Sequence, residues 1–206
     1  MIKAVIFDFG GVLAEEGFKQ GLRAIAKENG CDPEIFYSIA GELVYRSGYV
    51  SGTTDEHSYW EAVREKTGLR EDDEVLREEI LKRFRLRPEM LDIVDRLKSS
   101  GLTVAILSDQ TNWLDELNLR TPFHHHFDYV FNSLHLKKTK RNSSIFKDVC
   151  SRLGVRPEEA LFVDDNPENI KRASTKGLKT IQFKSVNQFQ KKIDKAVRLR
   201  SRRWKK

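Results

Sequence analysis

The chain has 206 residues, 39% apolar and 33% charged, which suits one globular domain carrying a sizeable insertion and excludes a disordered or collagen-like polymer. No window approaches the roughly 18 uninterrupted apolar residues of a membrane span. The net charge of +6 is unevenly placed: residues 191–206 hold nine Lys/Arg and one Asp, while the other 190 residues carry 28 basic and 30 acidic groups.

The first apolar burst, Ile2 to Phe7, reads as a buried strand. It is too short for the apolar segment of a signal peptide and lacks a small-residue cleavage site, so no leader is expected. Residues 15–85 then show only helical patterns: Phe18/Leu22/Ile25, Phe36/Ile39/Leu43, Tyr59/Trp60/Val63 and Val75/Ile80/Leu81/Phe84. Thr53-x-x-Glu56 has the spacing of a capping box for the third. From Pro88 the cadence becomes that of alternating strands and helices. A helix over 88–100 leads to a strand at Leu102–Leu107, and a third strand is expected at Phe127–Phe131. A helix over 143–153, a strand at Ala160–Val163, a helix over 167–176 and a strand at Leu178–Phe183 complete the pattern. Such alternation predicts βαβ units, hence a doubly wound parallel α/β sheet covered by helices on both faces, with the first strand central. The expected division is an α/β core of 1–14 and 86–206 with an inserted helical cap at 15–85. An insertion there overhangs the edge at which open α/β sheets bind ligands.

The basic stretch 191–206 is expected to be a solvated last helix with a frayed end. A nucleic-acid role would need support from the body, which carries no such motif. Cys31 and Cys150 cannot build a disulfide framework and are expected to be reduced thiols in a cytoplasmic protein. His124-His125-His126 reads as a surface loop, because three adjacent residues cannot all face one ion without contorted backbone.

The chemistry gathers at predicted strand ends. Asp8 ends the first strand in VIFDFGGVL, Ser108 follows AIL, Asp164 and Asp165 follow LFV, and Lys140 precedes a helix after the third strand. Parallel strands bring these ends to one crevice. Three carboxylates so close repel one another unless a divalent cation neutralises them. All-oxygen ligands point to Mg²⁺, which keeps waters and substrate phosphate in its shell. A lysine and a hydroxyl beside such a metal suit phosphoryl transfer, where positioning and charge neutralisation account for most of the catalysis.

The ordered set of Asp8 in a DFGGV loop, Ser108, Lys140 and the Asp164–Asp165 pair resembles the four motifs of the haloacid dehalogenase (HAD) superfamily. The helical block resembles that family's C1-type cap, and the likeness runs from residue 2 to about 183. It implies a hydrolase, an Mg²⁺-dependent phosphatase acting on a small phosphorylated metabolite. Asp8 would be the nucleophile, forming an aspartyl-phosphate and binding the metal through its other oxygen. The Gly10 carbonyl, Asp165 and Asp164 would complete the metal site. Ser108 and the Asp109 amide would hold the phosphoryl group. Lys140, rather than Lys137 or Lys138, would link nucleophile and phosphate, since Ile145 and Phe146 follow it at the family's spacing.

Three departures stand out. Gly10 occupies the position where phosphatases of the family usually carry a second Asp as general acid, as in a sub-branch of capped sugar-phosphate phosphatases. A missing general acid costs about 10²–10⁴-fold, less when the leaving oxygen is weakly basic. Glu15, Glu16 or His57 is a candidate replacement donor, and Tyr49, Trp60 and His57 are either substrate contacts from the cap or residues of its helical bundle. Arg141 stands where the family usually has Pro, and Asp109 where Asn or Gly is common. Asp109 would burden a phosphate site with negative charge unless it turns away. Two alternatives remain open: a catalytically weak or inactive binding or scaffold protein, motivated by Gly10 and the basic tail, and a dehalogenase-type hydrolase, which Gly10 and the paired aspartates disfavour.

Overall fold

The computed structural model describes residues 1–197; the end of the basic tail, 198–206, lies outside the described residues, and its expected frayed end with it. Five parallel strands form one sheet: β1 (Ala4–Phe7), β2 (Thr103–Ser108), β3 (Tyr129–Asn132), β4 (Ala160–Asp164) and β5 (Lys179–Gln182). Their order is β3-β2-β1-β4-β5, so β1 is central as expected. Its four residues are all buried, as a strand covered on both faces must be. Val5 and Phe7 face a core shared with Met90, Val94, Phe189 and Ile193, while Ile6 faces the opposite core with Phe146, Val149, Cys150 and Phe162.

The helices after the insertion are α5 (Pro88–Ser99), α6 (Trp113–Arg120), the short α7 (Ser133–Leu136), α8 (Ile145–Arg152), α9 (Pro167–Thr175) and α10 (Val186–Val197); those within it are α1 (Gly17–Glu28), α2 (Pro33–Arg46), α3 (Glu56–Thr67) and α4 (Asp73–Leu81). Proline at the first turn of α5 and α9 meets no lost hydrogen bond, since those amides lack helical acceptors anyway. None of the described helices is long and apolar enough to cross a membrane. Both cysteines are free, Cys150 buried and Cys31 half-buried.

Several sequence expectations shift. The strands are trimmed or displaced by one or two residues, and α6 was not anticipated, its stripe of Trp113, Leu114 and Leu117 being short. On α2 the buried stripe is Phe36/Ala40/Val44 rather than Phe36/Ile39/Leu43. On α4 Leu76 is buried and Val75 is 58% exposed, because 76 and 80 lie one turn apart whereas 75 and 80 lie on different sides of the helix. The capping box is not formed. Asp55 caps α3 by accepting from the Ser58 amide (2.8 Å), and Thr53 Oγ1 instead donates to the Gly48 carbonyl (3.2 Å). His124–His126 forms a single 3₁₀ turn, in which His126 Nδ1 meets Asp95 at 2.7 Å.

The helical block leaves the core after Ala14 and returns at Leu86, and the two crossings pair with each other. Glu15 N donates to Arg85 O and Arg87 N to Leu13 O, both at 2.8 Å. The Arg87 guanidinium adds bonds to the Val12 (2.9 Å) and Ala14 (2.6 Å) carbonyls. Inside the block α1 lies hard against α4 through Gly21, where a Cβ would come within 2.6 Å of Ile80 Cγ1 and 2.7 Å of its Cα. Gly21→Val is therefore expected to lower stability by about 1–3 kcal/mol through overpacking. A urea transition left at its wild-type midpoint would show that these helices part easily.

Candidate active site

β1 ends on Asp8, whose amide continues the ladder to the Val163 carbonyl (2.8 Å). Its Oδ1 accepts from the Phe9 amide (2.7 Å) and from Lys140 Nζ (2.9 Å). No donor to Oδ2 exists among the described residues, which leaves that oxygen available. The chain then turns tightly through Gly11, at φ 79°, where any Cβ would collide with the Asp165 carboxylate. Only glycine allows loop and carboxylate to approach so closely.

β4 delivers the other acids. Asp164 is fully buried and accepts from Lys140 Nζ (2.8 Å), Asn169 Nδ2 (3.1 Å) and the Asn166 amide (2.8 Å). Asp165 stands beyond it, half-buried, at the cleft. One oxygen from each of Asp8, Asp164 and Asp165 lies within 4.8 Å of the others. Residues separated widely in sequence thus meet at one sheet edge, on either side of the point where the strand order reverses.

Lys140 is 2% exposed and bridges Asp8 and Asp164. Burial works against its charge, but Asp164, Asp8 and Asp109 more than compensate and hold it protonated far above neutrality. Lys137 and Lys138 point elsewhere, the first to the Gly52 carbonyl (2.6 Å) and the second to Asp148 (2.5 Å). Burial raises the Asp8 carboxyl well above its ordinary range; Lys140 opposes that, and Asp164 and Asp165 add to it. Asp165 is raised by burial and by Asp164. One ammonium does not balance this many acids.

Ser108, at the end of β2, is 2% exposed and lines the cleft. Asp109 follows it but turns aside: Oδ1 accepts from the Lys140 amide (2.8 Å) and Oδ2 from the Tyr45 hydroxyl (3.4 Å). Its charge is spent on fixing the lysine loop and on holding α2. Burial pushes its carboxyl up, against the pull of Lys140.

The cleft above these groups encloses about 510 Å³. The helical block contributes Glu16, Lys19, Tyr37 and Tyr45 to its walls, and the core adds Arg141. Of the two readings open to Tyr49 and Trp60, substrate contact or bundle residue, the second holds: they pack with Tyr59 and Trp113 in a buried aromatic cluster. His57 is exposed and bonded to Asp73 (2.8 Å). Tyr37 and Tyr45 carry no signal in the sequence, because their spacing belongs to no motif. Glu16 also caps α1, accepting from the Lys19 amide (2.9 Å), and burial pushes its carboxyl up to about 7. Gly10 lines the cleft as well, and a Cβ there would meet Phe84 Cε1 at 3.3 Å, so the ring crowds the position an added side chain would take.

A family model described as haloacid dehalogenase-like hydrolase matches residues 2–174. Enolase-phosphatase E1 of Aquifex aeolicus (strain VF5) is 27% identical over 88% of this chain and 90% of its own length. Bifunctional epoxide hydrolase 2 of Rattus norvegicus is 29% identical over 52% of this chain, a match that spans only 20% of the rat protein. Among solved structures, a HAD family enzyme from Bacteroides thetaiotaomicron, in complex with magnesium and inorganic phosphate, superposes with a TM-score of 0.66 at 22% identity, covering 89% of this chain and 95% of that one. The L-2-haloacid dehalogenase of Xanthobacter autotrophicus superposes with a TM-score of 0.65 at 22% identity, covering 87% and 76%.

Removing the central cation tests the electrostatic account. Lys140→Met strands two buried carboxylates and is expected to cost about 3–5 kcal/mol. Chemical denaturation at neutral pH measures it, and a loss under about 1 kcal/mol would mean that Asp8 and Asp164 find water or a proton without strain.

Proposed function

The chain belongs to the haloacid dehalogenase-like hydrolases, and from that premise we propose that it is an Mg²⁺-dependent phosphatase acting on a small phosphorylated metabolite. The observation that carries this reading is the meeting of Asp8, Asp164 and Asp165 within 4.8 Å around a buried lysine. The donor set fits a hard divalent cation, since all three side chains offer oxygen and Lys140 relieves their mutual repulsion only in part. Asp8, Asp165 and the Gly10 carbonyl would hold the ion, with Asp164 beside them. Asp164 is already committed to Lys140 and Asn169, which makes it chiefly an anchor for the ammonium. When bound, the ion neutralises the carboxylates and polarises the phosphoryl oxygens.

The protein's own groups supply the rest. A carboxylate oxygen of Asp8 attacks phosphorus, and the bond from phosphorus to the ester oxygen breaks. Lys140 and Ser108, with the Asp109 amide, hold the phosphoryl oxygens in line. Water then attacks the aspartyl-phosphate, releasing inorganic phosphate and restoring Asp8. The helical block over 15–85 serves as the cap, its α1 and α2 walling the site from solvent and choosing the substrate. The Aquifex relative, a phosphatase by name and similar over nearly its whole length, supports the reading.

Of the three candidate proton donors, Glu16 has the most support. Glu15 pairs with Arg87 at 3.1 Å and His57 with Asp73, whereas Glu16 lines the cleft and keeps its proton to about pH 7. Glu16 would protonate the leaving oxygen and then take a proton from water.

Turnover of p-nitrophenyl phosphate with and without Mg²⁺ tests the reading. Metal-dependent release abolished by Asp8→Asn is expected. Silence on activated and sugar phosphates alike would favour the scaffold alternative, and metal-independent chloride release from 2-chloropropionate would favour the dehalogenase. A second measurement addresses Glu16. Because the protonated carboxyl is the donating form, kcat for an alkyl phosphate should fall as pH rises through about 7. In Glu16→Gln that limb should vanish and the rate drop about 10²-fold, with a much smaller loss on p-nitrophenyl phosphate, whose leaving oxygen needs little protonation. Equal losses on both substrates would remove Glu16 from the mechanism.

A further inference from the structure

Beside the cleft lies a second groove of about 420 Å³, between the C-terminal half of α2 and the loop at 137–142. The two hollows are contiguous, since Tyr45, Val50 and Arg141 line both. Their chemistry differs sharply. Where the cleft gathers carboxylates, the groove is lined by Arg46, Lys137, Lys138 and Arg141, with Glu42 its only acidic residue.

The charges are only partly spent. Arg141 lies over the Tyr45 ring, 3.5 Å from its centroid, and pairs with both Glu42 oxygens (2.9 and 2.8 Å). Lys138 is held by Asp148. Lys137 is bonded to a neutral acceptor, the Gly52 carbonyl (2.6 Å), and Arg46 has no carboxylate within ion-pair distance among the described residues. Lys137 thus has no counter-charge of its own, and Arg46 has only the Glu42 carboxylate one helical turn away, which is already paired with Arg141. Lys137 also adopts φ 55° at the end of α7, the one left-handed non-glycine among the described residues.

We propose that this groove is a subsite for a second anionic group on the substrate. The substrate class is then a small phosphate ester bearing a further phosphate or carboxylate, joined by a spacer that runs past Tyr45 and Arg141. This inference rests on the phosphatase reading for the identity of the first group, but not for the existence of the groove. An ester with no second charge would leave Arg46 and Lys137 to water and to neighbours already engaged, whereas a second anion in the groove would gain charge-assisted hydrogen bonds from both. The second anion would be bound by Arg46 and Lys137, and the guanidinium of Arg141, already planar and stacked, would guide the spacer.

Binding to the Asp8→Asn protein in Mg²⁺ tests this without turnover. By calorimetry, α,ω-alkanediol bisphosphates of two to six carbons are compared with monoalkyl phosphates of the same length. The expected result is one spacer length at which the bisphosphate binds at least about tenfold more tightly. That advantage should fall below about threefold in Arg46→Gln/Lys137→Gln, measured against the monoalkyl phosphate on the same variant. Arg46→Glu, which leaves the Lys137–Gly52 contact in place, should abolish the advantage by itself. Equal affinities at every length, or an advantage that survives both variants, would overturn the subsite. Its failure is separable from that of the phosphatase reading, because hydrolysis of p-nitrophenyl phosphate by the wild-type protein depends on no second anion.

Discussion

One buried ammonium holds the carboxyl-terminal edge of the sheet together. Lys140 Nζ sits between Asp8 of the loop after β1 and Asp164 at the end of β4, while its backbone amide holds Asp109 beyond β2. Taking such a group out of water costs several kcal/mol, and a single carboxylate would barely offset that. Two in direct contact and a third nearby do so, and the lysine in turn offsets part of the repulsion among them. The adjacency of β1, β2 and β4 and the charge arithmetic of their ends therefore depend on each other. A different strand order would scatter these acids, and a different residue at 140 would drive them apart.

The arrangement is deliberately incomplete on its anionic side. Asp165 accepts nothing from Lys140, and Asp8 keeps one oxygen without a protein donor, so negative charge remains at the mouth of the cleft. Across Tyr45 the balance changes sign in the groove of Arg46 and Lys137. Tyr45 joins the two regions, its hydroxyl on Asp109 and its ring beneath Arg141. On the proposed reading this polarity along the cleft orients a two-headed anion before any bond is made.

Much of this was legible in the sequence, for a definable reason. Strands buried on both faces read as unbroken apolar runs, and a polar residue directly after such a run marks the sheet edge. Asp8, Ser108 and Asp164 are marked that way; Lys140 stands before a helix after the third strand, and only the family resemblance, through Ile145 and Phe146, separates it from Lys137 and Lys138. What was not legible depends on side-chain direction. No pattern told that Asp109 would turn to the Lys140 amide, or that Glu16 alone of the three candidate donors would face the cleft. The misread faces of α2 and α4 share one origin: several apolar residues sit close together, and the packing partner, not the periodicity, selects among them. Thr53 lost the cap of α3 to Asp55, a carboxylate nearer the helix start and a stronger acceptor for its amides.

The paired crossings at 13–15 and 85–87 have a consequence for lineage. Because the outgoing and returning strands touch, the seventy-odd residues between them begin and end at nearly the same point on the surface. Grafting another module there, or trimming this one to a turn, would leave the path of every sheet strand undisturbed and would alter loop-closure entropy only slightly. The doorway thus permits exchange: on the proposed reading the reacting groups stay with the sheet, while the share of selectivity carried by Glu16, Tyr37, Tyr45 and Arg46 would travel as a cassette.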